Sequence, residues 1–110
     1  DPMDQAAALV PLAREIKDRG LNLVIFTGYT FEYLQQHWNE TPAFLDLLAY
    51  ADILIDGPFI MAKRSLDIKF RGSSNQRIID VQQSLVEGRV VLHQIQLDEM
   101  KEHPECVLQG

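Results

Sequence analysis

The chain has 110 residues, 46% of them apolar, which is enough for one domain with a real core. Its net charge of −6, from 10 basic and 16 acidic residues, argues against a nucleic-acid surface, and its apolar runs fall far short of a membrane span. A single cysteine, Cys106, excludes an internal disulfide and a multi-cysteine metal site, and points to a reducing, cytoplasmic setting.

The chain opens Asp1-Pro2-Met3-Asp4, with neither an initiator methionine nor a charged-then-apolar leader. This beginning reads as a processed terminus, a tag remnant or the start of a piece of something longer. Ala6, Leu9, Val10, Ala13 and Ile16 then recur at helical spacing over 4–19, with Arg14, Glu15, Lys17 and Asp18 between them. Pro11 predicts a kink or restart, and Gly20 a C-terminal cap. Leu21 to Phe26 is an unbroken β-forming run, as in a buried parallel strand, ending at Thr27-Gly28. Thr30 is placed to cap a second helix running to about Trp38, with Glu32 in its first turn.

Thr41-Pro42 begins a third helix whose apolar side is Phe44, Leu45, Leu47 and Leu48. A second strand, Asp52 to Asp56, stops at Gly57-Pro58. Two apolar strands separated by helical patterns predict right-handed crossovers and an α/β fold with a parallel sheet and flanking helices. Ile78 to Val81 suits a third strand, Gln82 to Glu87 a short helix closed by Gly88, and Arg89 to Ile95 a last strand. The whole reads as one domain over 1–110, with a loose polar tail from about residue 97.

In a parallel α/β sheet, ligands gather at the carboxyl ends of the strands. Thr27-Gly28 and Asp56-Gly57 both lie at such ends. A hydroxyl, a glycine permitting close approach and a carboxylate suit a ribose or an amine; equally, Thr27 can begin a cap and Asp56 can brace a turn. The segment Phe70-Arg71-Gly72-Ser73-Ser74-Asn75-Gln76-Arg77 enters the third strand and can reach the same rim. Two guanidiniums bracket four neutral polar side chains there, and Gly72 is free to take a positive φ. That composition fits an anion-binding loop, and it fits a polar turn bonded to its own backbone. His37, His93, His103 and Cys106 show no ligand spacing, and no phosphate-binding glycine loop is present.

Val24 to Tyr29, Asp52 to Phe59 and Phe70 to Asp80, in this order and at these separations, resemble the activating proteins of anaerobic ribonucleotide reductase, members of the radical S-adenosylmethionine superfamily. The resemblance covers about residues 20–81, and the Arg71 to Gln76 block is its most specific part. It implies a partial (β/α) barrel. It also implies three upstream cysteines holding a 4Fe–4S cluster, through which S-adenosylmethionine is cleaved to a 5′-deoxyadenosyl radical that takes a hydrogen atom from a glycine of the reductase. An electron donor such as flavodoxin would be a second partner. Asp1-Pro2 resembles the end of the family's Ser-Gly-Gly-Asp-Pro segment, which binds the methionine amino group.

By that resemblance the cofactor-binding positions are Asp1, Pro2, Thr27, Gly28, Asp56, Arg71, Ser73, Ser74 and Asn75, with the loop facing either cofactor or reductase. One cysteine at the far end cannot build the cluster. The chain is therefore expected to be the inactive C-terminal half of an activase, self-associating through the apolar edge of its first strand. The alternative is a receiver-like or nucleotide-binding α/β module acting through protein contact, although Thr27-Gly28 supplies no acidic cluster for it.

Overall fold

A computed structural model of the protein describes residues 1–64 and 71–102, without the side chains of 101 and 102. Asp1 caps a 3₁₀ turn, Pro2–Gln5, by accepting a hydrogen bond from the Met3 N–H at 3.0 Å. Helix α1, Ala6–Asp18, follows directly. The restart expected at Pro11 does not occur. Pro11 and Ala7 are both on the exposed side, so the carbonyl that loses its partner four residues before the proline faces solvent. Gly20, at φ 73°, closes α1 as expected. Its N–H donates to the Lys17 carbonyl at 2.9 Å and the Leu21 N–H to the Ile16 carbonyl at 3.2 Å, the paired bonds of a left-handed helix stop.

Strand β1, Val24–Phe26, pairs in parallel with β2, Ile53–Asp56, in the register Val24↔Ile53 to Phe26↔Ile55. Between them lie α2, Phe31–His37, and α3, Pro42–Leu48. Thr30 caps α2, its hydroxyl accepting from the Tyr33 N–H at 3.1 Å, and Pro42 occupies the first turn of α3.

The third strand, β3, Arg77–Asp80, runs antiparallel to β2, so the sheet is mixed rather than parallel. The cause lies in the connection. Among the described residues between β2 and β3 there is one 3₁₀ turn, Met61–Lys63, and no crossover helix. An antiparallel bridge between Arg64 and Ser73 folds this segment back on itself, so the chain re-enters the sheet from the end at which it left.

Asp80 caps helix α4, Val81–Glu87, which ends at Gly88 with φ 71°. The strand expected over 89–95 is reduced to a single bridge, Leu92 to Ile79, with the Asp80 N–H donating to the Val91 carbonyl and the His93 N–H to the Ile78 carbonyl. His93 then starts α5, Gln94–Glu102: its Nδ1 accepts from the Ile95 N–H and its carbonyl from the Gln96 N–H. The ring nitrogen serves as a cap and diverts the chain from extended structure. The tail expected to be loose from about residue 97 thus begins inside α5.

The described residues hold five α-helices, two 3₁₀ turns and three strands. The core joins Met3, Ala6 and Ala13 beneath α1 to Phe31, Leu34, Leu47, Leu48, Leu54, Ile79 and Val81. With strand order β1-β2-β3, the outer side of β3 is covered by residues 91–93. β1 is an edge strand with Val24 and Phe26 exposed. An apolar groove of about 240 Å³ runs along it, lined by Leu12, Ile16, Val24 and Phe26 among others.

Candidate functional site

Because β1 and β2 are parallel, Thr27-Gly28 and Asp56-Gly57 leave the sheet at the same end. Because β3 is antiparallel, its first residue lies there too: Asp56 pairs with Arg77 in the ladder. The antiparallel register therefore delivers the 71–77 loop to the rim.

One part of the rim is built on Asp1. Its carboxylate accepts from the Thr27 hydroxyl at 3.0 and 3.1 Å, from the Gly28 N–H at 2.8 Å and from the Met3 N–H. Thr27 is 5% exposed, and its Oγ1 in turn accepts from the Tyr29 N–H at 3.1 Å. Tyr29 donates to Asp4, whose hydrogen bond pushes the phenol above its ordinary pKa. A carboxylate so fixed beside a glycine amide is chemically suited to an ammonium group.

The second part is built on Asp56, which is 1% exposed. It accepts from the Phe31 N–H at 2.8 Å and from the Arg77 guanidinium through both Nε and Nη2, so it ties the start of α2 to β3. Arg77 reaches on to Glu32, completing a carboxylate–guanidinium–carboxylate chain. The hydrogen bond to Asp56, then that to Glu32, holds the guanidinium above its ordinary pKa. Arg77 likewise holds Glu32 below the usual carboxylate range.

This gives a pH dependence of definite sign. A carboxylate depressed in the folded state contributes stability that is complete above its unfolded value, near 4.5 for Glu32, and is lost as pH falls through the lower folded value. Urea midpoints should hold between pH 7 and 5 and fall below about 4.5, and Glu32→Gln should flatten that fall. An unchanged acid slope in the variant would remove Glu32 from the account.

The loop itself is bonded inward. Arg71 is 9% exposed, pairs with Glu99 of α5, and donates to the carbonyls of Ser74 and Gln76. Ser73 is fully buried, donating to Asn75 Oδ1 at 2.7 Å and accepting from the Ile60 N–H. Ser74 is half-buried and donates its N–H to the Lys63 carbonyl. Asn75 donates to the Pro58 carbonyl at 2.7 Å, and Gln76 to the Gly57 carbonyl at 3.0 Å. Gly72 does not take a positive φ; a Cβ there would lie 2.8 Å from the Phe59 ring, so close approach is what the position needs. Gly57, at φ 96°, is where the left-handed turn occurs. Phe70 lies outside the described residues, as do Cys106 and His103.

Asp1, Thr27 and Gly28 are thus in direct contact, Pro2 follows Asp1 into the first turn, and Asp56 meets the loop through Arg77. Arg77 and Glu32 stand out in the sequence as a loop guanidinium and a helix-start acid, but their pairing around Asp56 does not, nor does Glu99 as the partner of Arg71. An antiparallel register would have exposed the first pairing; Glu99 carries no local signal.

Residues 1–79 match the family model described as a 4Fe-4S single cluster domain. The anaerobic ribonucleoside-triphosphate reductase-activating protein of Vibrio cholerae serotype O1 is 33% identical over 82 residues, covering 71% of this chain and 49% of that protein. The protein of the same name from Pasteurella multocida is 34% identical over 74 residues, 66% of this chain and 44% of its own length. The chain spans about half the length of these curated relatives. No solved structure matches it. The matched residues contain no cysteine, and the described residues bring together no group of three His, Cys, Asp or Glu able to hold a metal. The residues present therefore do not fit a cluster, which takes several thiolates.

Proposed function

The chain belongs to the family of 4Fe-4S single cluster domains, and from that premise we propose that it is part of an activating protein for anaerobic ribonucleoside-triphosphate reductase. The observation that carries the reading is the Asp56↔Arg77 register, which gathers three separate motifs of the sequence on one rim of the sheet. The proposed chemistry is that of a radical S-adenosylmethionine oxidoreductase, on a partial barrel of which the present sheet is a portion. S-adenosylmethionine, if bound here, would supply the group that takes a hydrogen atom from a glycine of the reductase, with the electron for its cleavage coming from the electron donor.

In this proposal the part played by the chain is to bind and orient. Asp1, held by Thr27 and Gly28 and leading into Pro2, receives the ammonium of the methionine moiety. Asp56 fixes α2 and Arg77 around it. Arg71, Ser73, Ser74 and Asn75 act through the position of the loop, which their hydrogen bonds tie to itself, to residues 58–63 and to α5. A cytoplasmic setting and an electron donor such as flavodoxin belong to the same proposal; for its part, no helix among the described residues is long and apolar enough to cross a membrane.

The test is a radical assay. The protein that carries this chain, incubated anaerobically with the reductase, S-adenosylmethionine and a reductant, should produce a glycine-centred radical signal by electron paramagnetic resonance. No signal from a cluster-loaded protein would end the reading. The 110-residue chain by itself is proposed to be inactive. Anaerobic reconstitution with iron and sulfide should leave it without cluster absorbance, and a stoichiometric cluster would contradict this.

A further proposal concerns the open edge. Among the described residues β1 has a strand partner on one side only, beside an apolar groove, and this chain alone should pair with itself at the other side. Sedimentation should show concentration-dependent dimers that Val24→Lys weakens; a strictly monomeric profile would count against it.

A further inference from the structure

The charge of this chain is not spread evenly. Residues 58–77 hold five basic side chains and one acid, whereas the other ninety residues hold five basic side chains and fifteen acids. Within this positive stretch lies the largest run of exposed apolar residues beside the rim: Phe59 is 50% exposed, Ile60 38% and Met61 63%, with exposed Arg64 one turn on.

These residues are held out by construction. Gly57 turns the chain away from β2 with its N–H on the Tyr29 carbonyl at 2.8 Å. Asn75 holds the Pro58 carbonyl, Gln76 the Gly57 carbonyl and Ser73 the Ile60 N–H, while the Phe59 ring lies close against Gly72. The polar side chains of the 71–77 loop thus form the underside of a platform whose upper side is apolar. Three large apolar side chains held in water by a backbone bonded to the loop beneath it mark a surface suited to being covered.

We infer that Phe59, Ile60, Met61 and Arg64 form the docking surface for a protein partner that presents an apolar side chain flanked by carboxylates. The inference rests on the proposed function, which requires a protein to be brought against this rim, and it names where on the chain that protein binds. Charge complementarity selects an acidic segment: Arg71 and Arg77 of this stretch are paired with carboxylates of the chain itself, whereas Arg64 is exposed beside the apolar run. An anionic bilayer is the less suited occupant. The fifteen acids of the remaining chain oppose its approach within a screening length of about 8–10 Å.

The experiment is binding of the immobilised 110-residue chain to purified anaerobic ribonucleoside-triphosphate reductase by interferometry. Wild type should bind. Phe59→Ser combined with Met61→Ser should weaken binding at least tenfold, and Arg64→Glu should slow association and remove most of its salt dependence. Val86→Ser, at an 80% exposed site on α4, should bind as wild type does. Far-ultraviolet circular dichroism confirms that each variant is folded. If wild type does not bind, the functional reading fails and takes this inference with it. If wild type binds and both surface variants bind equally well, the docking surface is wrong while the functional reading survives. Binding to phosphatidylserine vesicles that the same variants abolish would reassign the surface to membranes and overturn the inference.

Discussion

Replacing Arg77 with methionine should lower the free energy of unfolding by about 3 kcal/mol, the lower end of what breaking a buried ion pair costs. Asp56 is almost wholly buried, and among the described residues its carboxylate is supported, apart from Arg77, by the Phe31 N–H. Methionine keeps most of the stem volume and removes the charge, leaving a buried carboxylate uncompensated. The lower end applies because the Arg77 side chain is 29% exposed, so water can partly replace it. Urea denaturation measures the loss. Adding Asp56→Leu to Arg77→Met should return part of it, since no charge is then left inside. A loss below about 1 kcal/mol for Arg77→Met would show that the pair does not hold β3 to α2.

Phe31→Ala should cost about 3–5 kcal/mol, the usual range for deleting a buried aromatic ring. Phe31 is 0% exposed and meets Trp38 edge-on, with ring centroids 6.1 Å apart and planes at 88°. The substitution leaves the backbone N–H that Asp56 accepts from, so the effect isolates packing from the ion-pair chain. Emission from Trp38 should shift as well, because the ring bounding one side of the indole is gone. Phe31→Leu, which refills much of the space, should cost less than half as much. Equal losses for alanine and leucine would point to the aromatic contact rather than volume as the source.

What could be read in the sequence was local. Thr30, Pro42, Gly20 and Gly88 announce helix ends through the chemistry of their own backbone positions, and each does what it announces. Apolar runs announced β1 and β2 for the same reason. The direction of β3 was not legible, because Ile78-Ile79 presents the same pattern whichever way it enters the sheet. Only the fold-back at Arg64↔Ser73 decides it, and that is a contact between residues nine apart in a stretch without periodicity. The same holds at the rim. Thr27, Gly28 and Asp56 are visible as strand ends, but the grip of Asp1 on Thr27 spans twenty-six residues, and that of Glu99 on Arg71 twenty-eight. His93 misleads in the other direction: a β-rich neighbourhood predicts strand, and one ring nitrogen accepting an N–H turns the chain into α5.

The pairing of α5 with the loop bears on where this unit can be cut. Similarity to the family stops at residue 79, in the middle of β3. Hydrogen bonding does not stop there. Gln96 accepts the N–H of Ile78, residues 91–93 supply the outer partners of β3, and Glu99 neutralises Arg71 inside the fold. A piece ending at the limit of resemblance would take the Glu99 carboxylate away from a buried guanidinium and uncover the outer side of β3. The ancestry of the segment and its capacity to stand alone thus have different borders, and the second lies no earlier than Glu99.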